Sequence, residues 1–325
     1  MTTLTSPSPA GAPGSSDERT LAVAASLRQV DARRFRTDRI MQVLVYLAFA
    51  LAMVPLVSVA WTVVDKGIDR FSPYFLQHSM RGVFGGMDAG GIYHAIVGTL
   101  EITAGAAVIS VPIGILTAIY LVEYGTGHVA RAVTFFVDVM TGIPSIVAGL
   151  FAYALFALFF GAGARFGLMG SVALSVLMIP VVVRSTEEML KLVPNELREA
   201  SYALGVPKWL TIVKVVLRTA VAGIVTGVML AVARVVGETA PLLVTVGVID
   251  SINYNLFAGR MMTLPVYVYD QYSKGLAPCS SSATDCITTI NYDRAWAAAL
   301  TLILIVMLLN LLARLVSRYF SPRMR

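Results

Sequence analysis

Two charged residues stand inside one long apolar stretch of the sequence, which runs from Thr219 to Ile249. Arg234 and Glu238 are four residues apart, so on a helix they would share one face and neutralise each other. Ionisable groups within a membrane are costly, and they usually line a pathway or pair with each other. Arg234 carries a planar, permanently charged fork that suits the oxygens of an anion such as phosphate. The pattern therefore predicts an anion pathway in which Glu238 holds Arg234 in place, or a purely structural ion pair.

Three further polar residues bear on this chemistry. Thr239 would add a hydroxyl donor, and Arg218, just before the stretch begins, would guide an anion out. Glu101 lies in another apolar segment and would repel an anion, so we expect it to pair with a basic residue, with Arg234 as one candidate. The predicted pathway residues are Arg218, Arg234, Glu238 and Thr239.

Motifs for other chemistry are missing from the sequence. It contains no G-x-x-x-x-G-K-[ST], H-E-x-x-H, G-x-S-x-G or G-x-G-x-x-G pattern, so we expect no catalytic residues and no ATP hydrolysis by this chain. The three histidines are His78, His94 and His128, and none accompanies a cysteine, which disfavours a metal site. An intramembrane enzyme is disfavoured for the same reasons.

The elements that position these residues are apolar segments of membrane-spanning length. Of 325 residues, 57% are hydrophobic and 14% are charged, with a mean hydropathy of +0.76, whereas soluble domains carry about 25% charged residues. A helix needs about 20 apolar residues to cross a bilayer. Six segments meet that requirement, which predicts an all-α polytopic membrane protein; they are 40–64, 92–121, 138–165, 166–183, 219–249 and 295–313.

Breaks are expected in some of these segments. The fifth would be longer than a bilayer is thick, and Gly237 and Pro241 predict a break near its far end. Pro112, Pro144 and Pro180 interrupt other segments, either as kinks that permit rocking or as fixed packing kinks. In the fifth segment Gly223 and Gly227 form a G-x-x-x-G pattern, which favours close helix packing, most simply within this chain.

The basic residues predict the orientation in the membrane. The tail 1–39 carries six arginines, and the stretch 184–218 carries six basic residues, whereas the alternate flanks carry fewer. Basic flanks stay on the cytoplasmic side, so both termini are predicted there. Within the tail we expect disorder, then a basic amphipathic helix on the inner leaflet or a partly ordered positive flank. The net charge of +6 is scattered along membrane flanks, which indicates lipid contacts and no nucleic acid.

Both cysteines, Cys279 and Cys286, lie in the loop 250–294, which this topology places outside the cytoplasm. Disulfides persist in such compartments. A structural disulfide is therefore favoured over two free thiols.

The cytoplasmic stretch 195–217 reads NELREASYALGVPKWLTIVKVVL and predicts a helix, a turn and a second helix. Asn195 would cap the first helix, Gly205 would supply a positive φ at its end, and Pro207 would stop its continuation. The stretch resembles the coupling motif of ABC importer permeases, E-A-A-x-x-x-G followed nine residues later by I-x-L-P. Glu199, Ala200 and Gly205 match that motif, and we name residues 195–217 the coupling segment.

The motif is not matched throughout. Ser201 stands for the second alanine, Val215 for the isoleucine and Arg218 for the closing proline, whereas Leu217 matches. In the ABC importer permeases this motif docks into a cleft of a separate ATPase, so the resemblance implies that role for Glu199 to Gly205. An ordinary amphipathic loop helix is the alternative interpretation.

Four further stretches are similar to the PstA-type permease subunit of the phosphate ABC transporter, and together they cover most of the chain from Ile92 to Arg314. They are TLEITAGAAVISVPIGILTAIYLVEYG from Thr99, TGIPSIVAGLFAYALF from Thr141, RVVGETAPLL from Arg234 and MTLPVYVYD from Met262. The tail and the Cys279 loop lie outside this resemblance. Several matches in the same order are much stronger than any single one.

The resemblance implies a type I ABC importer permease fold, with a permease core at 92–317 in a bacterial plasma membrane. It implies that this chain forms half of a phosphate pathway and that a sister permease forms the other half. The further partners it implies are an extracytoplasmic phosphate-binding protein and an ATPase dimer. The ATPase would bind ATP and Mg²⁺, and no cofactor is expected in this chain. A permease for another oxyanion, such as sulfate or molybdate, is the main alternative. An ion-coupled secondary transporter is less favoured, because it would leave the coupling motif unexplained.

Overall fold

A computed structural model of the chain describes residues 32–279 and 286–320, and within them the regular structure is helical apart from one isolated bridge between Met87 and Cys286. Most of the tail 1–39 lies outside the described residues. The helices are α1 (Ala32–Gly67), α2 (Pro73–Gln77), α3 (Tyr93–Ile119), α4 (Gly127–Thr141), α5 (Ser145–Phe160), α6 (Gly167–Lys191), α7 (Asn195–Ala203), α8 (Lys208–Thr211), α9 (Leu217–Val236), α10 (Ala240–Thr245), α11 (Leu264–Lys274) and α12 (Ile290–Phe320). Single π-helical turns at Tyr120–Tyr124 and Ile212–Val216 extend α3 and join α8 to α9.

Five continuous helices in the described part are long and apolar enough to span a membrane: Arg33–Gly67, Tyr93–Tyr124, Gly167–Lys191, Lys208–Val236 and Ile290–Leu315. Helices α4 and α5 form a sixth span only if they are counted together, because the chain bends by 108° between them. The number of spans is therefore five or six.

The third predicted span, between residues 138 and 165, is interrupted at Pro144 as expected, but the interruption is a sharp bend between two helices. Helix α4 already begins at Gly127, and Gly142 ends it, while Pro144 has the extended ψ of 136° that precedes α5. A residue that precedes proline is disfavoured in helical conformation, so the chain turns here. Pro112 and Pro180, in contrast, lie inside the continuous helices α3 and α6.

The chain divides into two compact units, residues 1–61 and 62–325. In the first unit the described residues form α1 as far as Trp61, and its apolar side chains are almost all exposed, as on a helix that faces lipid. The second unit contains the remaining helices and the buried core.

Small residues allow α6 to pack closely on α3. A Cβ added at Gly105 would lie 2.5 Å from Ser171 Oγ, and one at Gly114 would lie 2.6 Å from a methyl carbon of Val182. Ser171 also donates a hydrogen bond to the carbonyl of Ile102 at 3.0 Å. Close approach and interhelical hydrogen bonds are what hold helices together in lipid.

The G-x-x-x-G pattern of α9 serves packing within this chain. A Cβ at Gly223 would lie 2.2 Å from Met189 Sδ, and one at Gly227 would lie 2.5 Å from Ser185 Oγ. Both partners belong to α6, so the expectation of intrachain packing is confirmed.

The predicted break in the fifth segment is also confirmed. Helix α9 ends at Val236 with Gly237 as its cap, and the short helix α10 starts at Ala240 with proline in its first turn. Helix α10 lies against α5, where a Cβ at Gly149 would come within 2.6 Å of the Cα of Pro241.

A disulfide and two arginines fix the loop at residues 84–89. Cys279 and Cys286 are joined, and both sulfurs lie so close to Gly86 that a Cβ there would be 2.2 Å from Cys286 Sγ. The buried guanidinium of Arg294 donates to the carbonyls of Met87 and Ala89, both at 2.8 Å. Arg70 donates to the same Ala89 carbonyl and pairs with Asp88 at 2.8 Å.

The first turns of α3 hold the segment that leads into α11. The backbone N–H of Leu264 donates to Thr99 Oγ1 at 2.8 Å, and Thr99 donates to the carbonyl of Ala95 at 2.7 Å. At Gly98 an added Cβ would lie 2.1 Å from the carbonyl oxygen of Met262. Only glycine fits that contact.

We therefore expect Gly98→Ala to lower the free energy of unfolding by about 1–3 kcal/mol, because backbone atoms must shift to admit the methyl group. The measurement is the Tm of the full chain in detergent. Gly142→Ala is the matched control, since a Cβ there would approach nothing closer than 3.5 Å. An unchanged Tm for Gly98→Ala would show that this contact is not tight.

Candidate functional site: the coupling segment and the broken fifth span

The coupling segment folds as a helix, a tight turn and a second helix. Gly205 has φ of +75°, its N–H donates to the carbonyl of Tyr202 at 2.9 Å, and the N–H of Val206 donates to that of Ser201 at 3.2 Å. This is the Schellman arrangement, in which glycine avoids the strain of a left-handed residue. Pro207 then occupies the cap position before α8, so the predicted positive φ of Gly205 and the predicted stop at Pro207 are confirmed.

The expected cap at Asn195 is wrong. Asn195 is already the first helical residue of α7, and Pro194 occupies the cap position with ψ of 141° and no side-chain hydrogen bond. The side-chain oxygen of Asn195 instead accepts a hydrogen bond from Arg198 at 3.2 Å.

Arg198 fastens α7 to the C-terminal end of α3, which the π-helical turn Tyr120–Tyr124 extends. Its Nη2 and Nε atoms donate to Glu123 Oε1 at 2.9 and 3.1 Å. The Arg198 guanidinium also donates hydrogen bonds to the carbonyls of Val193 at 2.6 Å and Leu190 at 3.0 Å. The side chains of Arg198 and Glu123 are only 13% and 5% exposed. A buried pair with this many hydrogen bonds fixes its elements firmly.

The second helix of the coupling segment is attached to the same place. Lys208 donates to the carbonyl of Glu123, and its ammonium lies 4.6 Å from the ring centroid of Tyr124. Ser201, which replaces the motif's second alanine, shares a buried hydrogen bond of 2.8 Å with Thr211. The departure at Ser201 therefore ties the two helices of the segment together.

The face of the segment that points away from these contacts is apolar and exposed. Leu204 is 84% exposed and Trp209 is 61% exposed, and Tyr202 is also accessible. Glu199 and Ala200 are exposed as well. A rigid element with an uncovered apolar patch is typical of a docking site.

A second ion-pair network lies at the C-terminal end of α6. Arg184 bridges Asp138 of α4 and Glu187, whose other oxygen pairs with Lys191 at 2.6 Å. The distance from Arg184 to Glu187 is 2.8 Å. This network ties α4 to α6 as Arg198 ties α7 to α3.

Three of the four predicted pathway residues, Arg234, Glu238 and Thr239, lie around the break in the fifth span. Arg234 is exposed in the last turn of α9, and Glu238 follows the helix end, half-buried. The described structure contains no ion pair between them, because the helix ends at Val236 and they no longer share one helix face. Thr239 precedes α10 without a side-chain cap, and Arg218 is exposed at the opposite end of α9.

Glu101 is half-buried in α3, and its Oε2 atom is enclosed without a hydrogen-bond partner in the described part of the chain. The expected ion pair with Arg234 is not formed there. The residues that sequence reasoning missed are Glu123, Asp138, Arg184 and Arg198. Glu123 and Arg198 are 75 positions apart, so no local signal relates them.

We expect Arg198→Gln to loosen α7, because it leaves the buried Glu123 carboxylate without its cation, at a cost of about 3 kcal/mol. The measurement is hydrogen exchange of the α7 amides in the purified full chain, which should become faster.

Glu196→Gln changes an exposed charge on the same helix and should leave exchange unaltered. The double variant Glu123→Gln with Arg198→Gln should recover part of the protection, since no charge is then left unpaired. Unchanged exchange in Arg198→Gln would refute the anchoring role.

Comparison with known proteins identifies the family. Residues 110–325 match the family described as "Binding-protein-dependent transport system inner membrane component". The chain is 45% identical over 301 residues to phosphate transport system permease protein PstA 1 of Mycobacterium tuberculosis (strain ATCC 25618 / H37Rv). This alignment covers 92% of each protein. It is 38% identical over 296 residues to phosphate transport system permease protein PstA of Yersinia pestis, covering 90% of this chain and 93% of that protein.

Solved structures share the fold at lower identity. A chain of the bacterial alginate ABC transporter, crystallised with an alginate pentasaccharide-bound periplasmic protein, aligns with a TM-score of 0.60 at 13% identity over 89% of this chain and 97% of that chain. A chain of the MetNI methionine ABC transporter in an inward-facing conformation aligns with a TM-score of 0.52 at 22% identity over 71% and 95%. The chain therefore belongs to the binding-protein-dependent transport system inner membrane components, among the PstA-type permeases.

Proposed function

We propose that this chain is the transmembrane permease subunit of an ATP-driven importer of inorganic phosphate. The observation that carries the proposal is 45% identity to a phosphate transport system permease over 92% of the chain. The chain forms half of the translocation pathway and has no ATPase motif of its own, so a separate subunit hydrolyses ATP.

In the membrane, we propose six spans with both termini in the cytoplasm, counting the bent pair α4 and α5 as one. The basic residues in the tail 1–39 and in the coupling segment support this orientation. The protein then lies in the bacterial plasma membrane, and the loop with the disulfide faces outward.

The exposed patch around Leu204 and Trp209 is the docking surface for an ATPase dimer that binds ATP and Mg²⁺. Because Arg198 and Lys208 fasten the coupling segment to the end of α3, a displacement of the segment moves α3 with it. Closure of the ATPase dimer would thus reorient the spans and change the side from which the pathway is open. A sister permease supplies the other half of the pathway, and an extracytoplasmic binding protein delivers phosphate.

Arg234 is suited to contact the anion. It is exposed in the last turn of α9, next to a helix break, and in the described part of the chain no carboxylate pairs with it. Broken helices at membrane depth commonly carry transport sites. A permanently charged guanidinium can bind two oxygens of phosphate at once.

Uptake of labelled phosphate by cells that carry or lack the gene tests the function directly. We expect uptake that requires the gene and ATP, is blocked by arsenate and is insensitive to sulfate or molybdate. Competition by sulfate would indicate a permease for another oxyanion, and uptake that persists without ATP would indicate an ion-coupled transporter.

Arg234→Lys should reduce phosphate uptake about tenfold or more, because an ammonium cannot form the bidentate contact. The readout is the initial uptake rate at equal amounts of membrane-inserted protein. Arg131→Lys, a change of an exposed arginine in α4, should leave the rate unchanged. Normal uptake by Arg234→Lys would remove Arg234 from the pathway.

Glu199→Lys should weaken capture of the ATPase subunit in detergent pull-downs, since it reverses a charge on the exposed face of α7. Glu188→Lys makes the same change at an exposed position of α6, outside the coupling segment, and should leave capture unaltered. Equal capture by both variants would count against this docking surface.

A further inference from the structure

An open cleft of about 470 Å³ lies where α1 ends and α12 begins, on the second unit of the chain. Its lining combines aromatic rings with both signs of charge. The residues that matter for its chemistry are Lys66, Asp69, Tyr272, Tyr292, Asp293 and Trp296. Neither the pathway nor the coupling segment contributes to it.

The cleft lies where two candidate membrane spans end, the position at which a membrane would meet water. One candidate span ends at Gly67, and another begins at Ile290. These two ends touch, since a Cβ at Gly67 would lie 2.8 Å from the carbonyl oxygen of Trp296 and 2.9 Å from the Cβ of Leu300. Tryptophan and tyrosine are enriched at this depth, where lipid headgroups lie.

The aromatic rings form a corner that accepts an ammonium group. Tyr272 makes edge-to-face contacts with Tyr292 at 5.1 Å and with Trp296 at 6.3 Å between ring centroids. The ammonium of Lys66 already lies 5.4 Å from the Trp296 ring centroid. Aromatic corners of this kind attract ammonium groups through the negative faces of the rings.

The charges beside this corner are of both signs. Asp293 accepts a hydrogen bond from Thr289 at 3.0 Å, and Asp69 is exposed. Neither carboxylate forms an ion pair with any residue that the structure describes. A free anion would be repelled by the two carboxylates, whereas a ligand that carries both a phosphate and an ammonium would satisfy Lys66 and the carboxylates together.

We propose that this cleft binds the headgroup of a phospholipid with a primary ammonium, of the phosphatidylethanolamine class, from the leaflet in which α1 ends. Lys66 leaves the Trp296 ring to contact the phosphate, and the lipid ammonium takes its place against Tyr272 and Trp296, within reach of Asp69 and Asp293. The acyl chains follow the exposed apolar surface of α12, which includes residues such as Met307.

Native mass spectrometry of the full-length chain tests the proposal. The chain is mixed in detergent with equal amounts of phosphatidylethanolamine and phosphatidylglycerol, and the lipids that stay bound after its release from detergent are measured. We expect the wild-type chain to retain phosphatidylethanolamine at least about fivefold more than phosphatidylglycerol, and Trp296→Leu to abolish that preference. Trp209→Leu is the matched control on the coupling segment and should keep it.

Tyr272 is 55% exposed, so Tyr272→Leu removes part of the corner with little risk to folding if Trp296→Leu does not fold. Equal retention of the two lipids, retention of neither, or an unchanged preference in folded Trp296→Leu and Tyr272→Leu would overturn the proposal. Displacement of the lipid by millimolar inorganic phosphate would also overturn it, because the cleft would then be a site for the free anion.

Discussion

Close packing along one face of α6 is the constraint on which the rest of the structure depends. The first half of that face, with Ser171 and Val182, contacts glycines of α3, and the second half, with Ser185 and Met189, contacts glycines of α9. Lipid offers no hydrophobic driving force for helix association, so van der Waals contact and hydrogen bonds such as that of Ser171 must supply it. A larger residue at any of these glycines would push the helices apart. The G-x-x-x-G pattern in α9 therefore serves packing inside the chain.

The charged groups at the C-terminal ends of α3 and α6 connect these packed helices to the coupling segment. Arg184 connects α6 to α4, and Arg198 connects α7 to α3 and to the end of α6. Each pair is held by several hydrogen bonds, so the segment is attached to the membrane helices by polar contacts of defined geometry. The loop at residues 84–89, before α3 begins, is held differently, by a disulfide and by the buried Arg294. The two ends of the permease are therefore stiff, and the broken segments between them, α4 with α5 and α9 with α10, are the places where the chain changes direction.

Local signals in the sequence were sufficient to predict those features of the fold that depend on a few neighbouring residues. Gly205 and Pro207 fix the turn of the coupling segment, because each acts through its own backbone preference. A break was predicted at Pro144, but its sharpness was not, since Pro112 and Pro180 carry the same signal and remain within helices whose neighbours stabilise them. The pairing of Glu123 with Arg198 depends on how α3, α6 and α7 pack, so no spacing rule reveals it. The predicted contact between Arg234 and Glu238 assumed one continuous helix, and the break that the same sequence predicts removes it.

In the proposed function, the coupling segment and the C-terminal end of α3 move as one body when the ATPase acts. The most direct test is the distance between spin labels at Thr126→Cys and Ala203→Cys, both exposed positions, in the assembled transporter with and without ATP. We expect the same distance distribution in both states. A shift of several ångströms on addition of ATP would contradict the claim, because the segment would then move independently of the helix that it is proposed to drive.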